Sequence, residues 1–440
     1  MSAILTRNLP NQVARSFIAT MAGANNFLYM FEGQQLPWPD DDNPPVPLDS
    51  VFSYKTVWDN ILAAKLITVH NMSLVIENVP WTSGTIYNAY SDTNSTLFSD
   101  VRDFFVTTSN NEIYKCLSNN NGIIATSQPS GTGTIANNYV QTTNDGYIWK
   151  YMLNIQPNDP FRNTFWVPIP AIAPVGSTQA TIEAAAISGS IDVIKVTNGG
   201  QNYINGGQQF IVNIVGDGVN ANAYANVVNG IVQNVIPVNK GQGYSFATVT
   251  FTDLAGSGAT AQAIMPPFGG HGSDASTELC ATTVMISISA SNTESGFFTT
   301  SNEFRQNGLL LNPTMLGSNT VSSNAIVKTA ETVTVTGGIG SYVTDESVFQ
   351  GTSINSSTFS GAVIDFDPIL GVLRLNNIVG VPQIGSILYG VSSGTQRFIT
   401  NITPPDLQKY TGVILSIDNE IPIARTALET DMFQYAISFA

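Results

Sequence analysis

At 440 residues the chain is longer than one hydrophobic core usually serves, so roughly two or three domains are expected. Hydrophobic residues make up 43% and charged residues only 11%, less than half the roughly 25% of ordinary soluble domains. The balance is acidic, 16 Lys plus Arg against 31 Asp plus Glu for a net charge of −15, and no basic stripe appears, which argues against direct binding of nucleic-acid phosphates.

From the N-terminus, residues 10–22 read as a helix, because Val13, Phe17, Ile18 and Met21 fall on one face and Gly23 stops it. Residues 27–31 read as a short buried strand. The stretch 36–47 holds five prolines, which remove backbone donors and restrict their predecessors, so it is expected to be a stiff exposed loop. Its acidic run, Asp40, Asp41 and Asp42, reads as a solvated turn rather than a Ca²⁺ loop, which needs six or more spaced oxygen ligands. Trp38, in a loop that cannot join a sheet interior, reads as a partner contact, and the expected interface is Trp38 with Asp40, Asp41 and Asp42. A second helix is expected over 53–67, with Val57, Trp58, Ile61, Leu62 and Leu66 as its apolar stripe.

Strands are expected at 72–79, 104–108, 112–117 and 147–155, with 118–144 a long surface loop rich in Asn, Ser, Thr and Gly. Asp145-Gly146 is a turn pair, and after it Tyr147, Trp149, Tyr151 and Leu153 point one way while Ile148, Lys150, Met152 and Asn154 point the other. Three aromatics on one face, burying roughly 150–250 Å² each, can anchor a sheet. Residues 191–265 hold an internal repeat: Ile194-Lys-Val-Thr-Asn-Gly-Gly-Gln-Asn-Tyr203 is echoed by Ile236-Pro-Val-Asn-Lys-Gly-Gln-Gly-Tyr244. A period of about 40 residues suggests two stacked or paired β units, too few for a solenoid. Residues 266–272, with His271, read as a flexible joint. Another β-rich section follows at 325–403, in which 346–351 and 384–390 look equivalent. The last strands are expected at 412–417 and 433–439.

The search for chemistry mostly excludes. There is no phosphate-binding Gly-rich loop, and His70 and His271 are too few for a His-rich metal site, so no cofactor and no metal is expected. Cys116 and Cys280 form no ligand spacing and no disulfide framework. The Gly390-Val-Ser-Ser-Gly394 stretch matches a nucleophile elbow, but no His follows Ser392 in the chain, so it has no downstream base. Glycan cleavage needs only two carboxylates roughly 5–10 Å apart. Asp345, Glu346, Asp365 and Asp367 are available, although nothing in the sequence selects a pair. No apolar run approaches the ~20 residues of a membrane span.

An ordered set of motifs resembles a family. Pro37-Trp38, Trp81-Thr-Ser-Gly-Thr-Ile-Tyr-Asn-Ala-Tyr90, Ile113–Leu117, Asp145-Gly-Tyr-Ile-Trp-Lys-Tyr-Met-Leu-Asn-Ile155, Phe304-Arg-Gln-Asn-Gly-Leu-Leu-Leu-Asn-Pro313 and Ile421-Pro-Ile423 with Ile437-Ser-Phe439 follow one another in the order of the baseplate wedge proteins of contractile-tailed bacteriophages. That family is typified by gene product eight of the T-even phages. The resemblance implies a mainly β (α+β) protein, a β-sandwich core with a few peripheral helices and two inserted β-rich sections. It divides the chain into wedge core (1–184), a pair of β repeats (185–267), wedge core (268–322), a β-rich module (323–403) and C-terminal core strands (404–440). It also implies a non-enzymatic structural protein of the virion tail baseplate, assembled in the host cytoplasm, a homodimer within the wedge that contacts other wedge proteins, with neither nucleic acid nor membrane insertion. The competing readings are a receptor-binding tail fibre or spike and a virion-associated glycan depolymerase.

Overall fold

Alternation around Trp149 produces the strand that organises the first part of the chain. In the computed structural model, which describes residues 6, 8–94, 97, 102–204, 210–251, 255–426 and 428–439, Ile148–Asn154 lies between Glu112–Ser118 and Val140–Thr142, with Phe105–Thr107 outside them. Tyr147 stacks on Trp149 at 5.5 Å between ring centroids, and Tyr114 meets Tyr151 edge-on at 5.4 Å. These rings are almost wholly buried, and Ile182 of the Thr178–Ala185 helix packs into the same cluster. That helix was not anticipated; its signal was Ser177, whose hydroxyl accepts the Ala180 N–H at 3.1 Å as an N-cap. Asp145 holds the long 118–144 loop down: its carboxylate accepts the N–H groups of Thr126 (2.7 Å) and Ser127 (2.8 Å).

The protein is mainly β, its ladders antiparallel, with few helices. It divides into two units, one of Met1–Ser16, Ser73–Met285 and Ala436–Ala440, the other of Phe17–Met72 and Ile286–Tyr435. The chain passes between them inside the Asn8–Met21 helix and inside the Met72–Glu77, Thr283–Ser291 and Thr430–Ser438 strands. In the second unit a five-stranded sheet runs Ile326–Lys328, Ile61–Ile67, Leu28–Gly33, Phe304–Leu311, Val413–Ile423. Leu28–Gly33 is buried along its whole length, and Tyr29, Phe31, Trp58, Leu310 and Val327 form the core beside it.

The expected helix over 53–67 is corrected here. The helix is Val51–Asn60, capped by the Ser50 hydroxyl, and the backbone turns extended at Ile61. Ile61–Ile67 is a strand paired with Leu28–Gly33, Leu28 opposite Ile67. An apolar run buried on both faces has no period to distinguish strand from helix, and the continuous stripe was read through the boundary.

The two remaining sections each close into a six-stranded barrel, from Val193–Gln201 to Ser257–Ile264 and from Glu331–Ile339 to Gln396–Thr403. Counted along each section, the strand order around both barrels is 1-4-3-2-5-6. In the first, the two sequence copies interleave. The opening strand of copy one, Val193–Gln201, pairs with the last strand of copy two, and Ile231–Gln242, which opens copy two, pairs with the last strand of copy one, Val219–Val228. The repeated tyrosines explain the exchange. Tyr244 lies over Gly218 and its hydroxyl accepts the Ala221 N–H (3.3 Å); Tyr203 lies over Gly256 and accepts the Ala259 N–H (3.2 Å). Each ring sits where a Cβ on the facing glycine would collide with it. Among the described residues no helix is long and apolar enough to cross a membrane.

Candidate interaction surface

Proline keeps residues 36–49 out of regular structure, and specific bonds fix where the segment lies. Asp41 accepts the Trp38 N–H at 2.8 Å and a two-pronged contact from Arg305, Nε at 2.8 Å and Nη2 at 3.0 Å. The hydrogen bond from Arg305 is the main reason the Asp41 carboxyl is held below its ordinary range. Arg305, almost fully buried, also reaches Glu303 at 2.7 Å and the Gln35 carbonyl. Asp40 accepts from Asp42 N–H and from Asn43 Nδ2 (2.9 Å), closing a small turn, while Asp42 itself is exposed. Of the acidic run, then, one carboxylate faces inward onto an arginine and two face solvent. Trp38 is half-buried, and its indole N–H donates to the Glu420 carbonyl at 3.2 Å. Asn419 Nδ2 donates to the Pro45 carbonyl at 2.7 Å. The loop therefore lies against Val413–Ile423, one of the two edge strands of the five-stranded sheet.

Between that strand and the loop run two adjoining hollows of about 210 and 250 Å³, which share Pro47, Leu48 and Ile417. Large apolar side chains stand open around them: Val46 is 81% exposed, Leu48 66%, Phe52 80% and, on the strand, Leu415 46% and Ile421 58%. Solitary exposed apolar residues are ordinary, whereas a contiguous set beside an open sheet edge marks a contact site. Asp49 lines the first hollow and accepts the Tyr54 hydroxyl, Lys55 is exposed next to Tyr54, and Asp418 pairs with Asn307 on the other face of the sheet. Among the described residues none of Asp40, Asp42, Asp49, Asp418 and Glu420 is in an ion pair. Burial, and then the neighbouring Asp418, pushes the Glu420 carboxyl up.

The candidates for chemistry are placed elsewhere, in settled roles. Ser392 donates its hydroxyl to Glu346 Oε2 at 3.1 Å, and the same carboxylate accepts the N–H groups of Ser392 and Ser393, so Gly390–Gly394 is a turn wrapped on a buried acid. Asp365 pairs with Arg374 at 3.1 Å, and Asp367 caps its own hairpin through the N–H groups of Ile369 and Leu370. Cys116 and Cys280 are buried free thiols, and His70 is exposed. No group of three or more His, Cys, Asp and Glu able to hold a metal occurs among the described residues.

His271 needs a correction. The expected flexible joint is an ordered turn: Gly270 N–H bonds the Pro267 carbonyl, Gly272 N–H bonds Glu278 Oε1 at 2.7 Å, and His271 is 2% exposed. Its Nδ1 lies 3.1 Å from Lys115 Nζ and 3.9 Å from Glu278 Oε2. Lys115, wholly buried, pairs with Glu278 Oε2 at 2.7 Å and lies 4.0 Å from the Tyr90 ring centroid. Burial, then the Lys115 charge, pushes the His271 pKa down; burial acts to raise Glu278, but Lys115 and His271 more than offset it and hold it near 2. Lys150 is buried as well, bonded to the Asn138 carbonyl at 2.6 Å, its pKa brought down by burial to about 8. Sequence reading missed this network because its partners are far apart in the chain. These groups lie in the interior of the first unit. No family model matches the chain, and no curated protein matches it.

Proposed function

We propose that the chain is a structural subunit of a contractile phage tail baseplate, a wedge component that acts by protein–protein contacts in wedge assembly and in the rearrangement that triggers sheath contraction. In that role it works without catalytic turnover or cofactor, as a homodimer among other wedge proteins of the virion. The observation that carries this reading is the edge strand Val413–Ile423, which has a strand on one side only and exposed apolar side chains beside it. A sheet edge in that state is a contact awaiting its partner. The motifs that resemble the wedge family support it by position, because Phe304–Leu311 and Val413–Ile423 are adjacent strands of this sheet.

Trp38 separates assembly from stability. Trp38→Ala removes one hydrogen bond and a half-buried ring, so the free energy of unfolding is expected to fall by only about 1 kcal/mol. Incorporation of the chain into purified tail particles, read by quantitative mass spectrometry, is expected to fall about tenfold or more, as for an interface hot spot. A stability loss of about 3–5 kcal/mol would make Trp38 a core residue, and unchanged incorporation would remove it from the interface.

A further inference from the structure

The strand that organises the first unit carries a lysine that no water reaches. Lys150, on Ile148–Asn154, is wholly buried, and its Nζ donates to two oxygens of one residue, the Asn138 carbonyl at 2.6 Å and the Asn138 side-chain Oδ1 at 3.1 Å. Asn138 is 5% exposed, and its Nδ2 has no hydrogen-bond partner among the described residues. A C=O bond is about 1.23 Å long, so Nζ stands within about 4.3 Å of the carboxamide carbon Cγ. Asn138 (φ 51°) and Tyr139 (φ 55°) are consecutive non-glycine residues in the left-handed region, a strained pairing that persists only where the surroundings over-determine it. The Tyr139 ring lies 5.6 Å from Nζ. Gly272 leaves room for the amine, since a Cβ there would come within 3.0 Å of Nζ and 2.9 Å of Ile182. Among the described residues Lys150 is in no ion pair: the nearby carboxylates Asp192 and Glu278 are bonded to Lys240 and Lys115.

We infer that Lys150 and Asn138 join covalently in the folded protein, Nζ replacing Nδ2 on the Asn138 carboxamide to give a side-chain amide cross-link and free ammonia. The neutral amine attacks Cγ, the bond from Cγ to Nδ2 breaks, and the proton that Nζ sheds leaves on Nδ2. One amide is exchanged for another, so no oxidant, cofactor or outside reactant is needed, and the step occurs once per chain. Burial prepares the nucleophile: desolvation brings the Lys150 pKa from 10.5 to about 8, with Asp192 and Glu278 opposing the fall and Lys240 and Lys115 adding to it. The same burial keeps out water, which would otherwise compete for Cγ. Holding the two groups together supplies the proximity that a reaction between an amine and an amide lacks in solution. The product fastens an edge strand that pairs with Ile148–Asn154 through Val140, Gln141 and Thr142 alone, with Val140 opposite Lys150. Edges of that length are the first to fray, and a covalent clamp holds this one under load. The cross-link does not depend on the baseplate role.

The test uses the full chain, folded and left to react, and mass spectrometry. The intact mass is expected to fall short of the sequence by one ammonia. Trypsin is expected to pass over Lys150, whose amine has become an amide. Asp145 lies between the two residues, so a protease that cuts before aspartate separates them in the backbone. The peptides holding Asn138 and Lys150 are expected to stay joined after that cut. Asn-Gly pairs such as Asn121-Gly122 and Asn229-Gly230 also lose ammonia when they cyclise, but they leave Lys150 open to trypsin and the two peptides separate. That result overturns the proposal, and so does a full intact mass in the folded protein. Lys150→Arg keeps the positive charge and removes the amine, and is expected to keep its full mass. A shortfall of one ammonia at Asn138 that survives Lys150→Arg overturns the proposal as well.

Discussion

Glu278→Ala is expected to lower the free energy of unfolding of its unit by about 3–5 kcal/mol, the cost of leaving one partner of a buried ion pair uncompensated. Lys115 has no exposure to water, and without Glu278 its charge loses the carboxylate that lies 2.7 Å from Nζ. Glu278 also accepts the Gly272 N–H, so the turn carrying His271 loses its anchor in the same step. The double replacement Lys115→Met with Glu278→Leu removes both charges and is expected to cost much less than Glu278→Ala, because an apolar pair of similar volume pays no desolvation. Denaturant unfolding of wild type, Lys115→Met, Glu278→Leu and the double completes the cycle. If Glu278→Ala costs less than about 1 kcal/mol, the pair is solvated and the network does not organise the interior.

The two units are expected to answer pH in opposite directions. Glu278 is held near 2 in the folded protein against an ordinary 4.5, so the stability it contributes is complete above about pH 4.5 and lost as pH falls toward 2. Glu32, in the middle of the five-stranded sheet, is different. Burial raises it to about 7, opposed by Arg425 at 2.9 Å and reinforced by Asp431, which shares that arginine at 3.0 Å. A folded pKa above the unfolded value means stability present below about pH 4.5 and lost as pH rises through 7. At ~1.4 kcal/mol per unit the decline amounts to about 3 kcal/mol. Asp431, raised chiefly by burial, adds in the same direction. Urea unfolding across pH 4–8 checks this: Glu32→Gln is expected to flatten the decline between pH 4.5 and 7. A wild-type profile level over that window, or one unchanged by the substitution, contradicts it.

What was legible in the chain was local. Period-two alternation located the Trp149 strand and the face that buries its rings, and glycine after Met21 ended the first helix where spacing said it should. The Gly-Tyr echo marked Tyr203 and Tyr244, but not that each tyrosine packs on the other copy's glycine, since nothing local distinguishes stacked repeats from interleaved ones. Ile61–Ile67 was misread because a strand buried on both faces has no amphipathic period. Lys115, Lys150 and His271 were illegible as buried charges: a lysine in a strand reads as a surface residue until Glu278, 163 positions away, is brought beside it. At the candidate surface, Trp38 and the acidic run stand out by composition. Their different fates, Asp41 turned onto Arg305 and Trp38 laid on the strand edge, depend on contacts more than 260 residues distant.

The central claim is that the Leu415 stretch of the Val413–Ile423 edge strand, where Leu415 is 46% exposed in the chain alone, is covered in the assembled particle. The native thiols Cys116 and Cys280 are buried, so a single introduced thiol can report on it. In Leu415→Cys, the folded free protein is expected to react with a maleimide at the rate of an exposed thiol, and the same protein within purified tail particles to be protected by about a hundredfold or more, as in a desolvated interface. Equal labelling in the particle and in free solution would contradict the account.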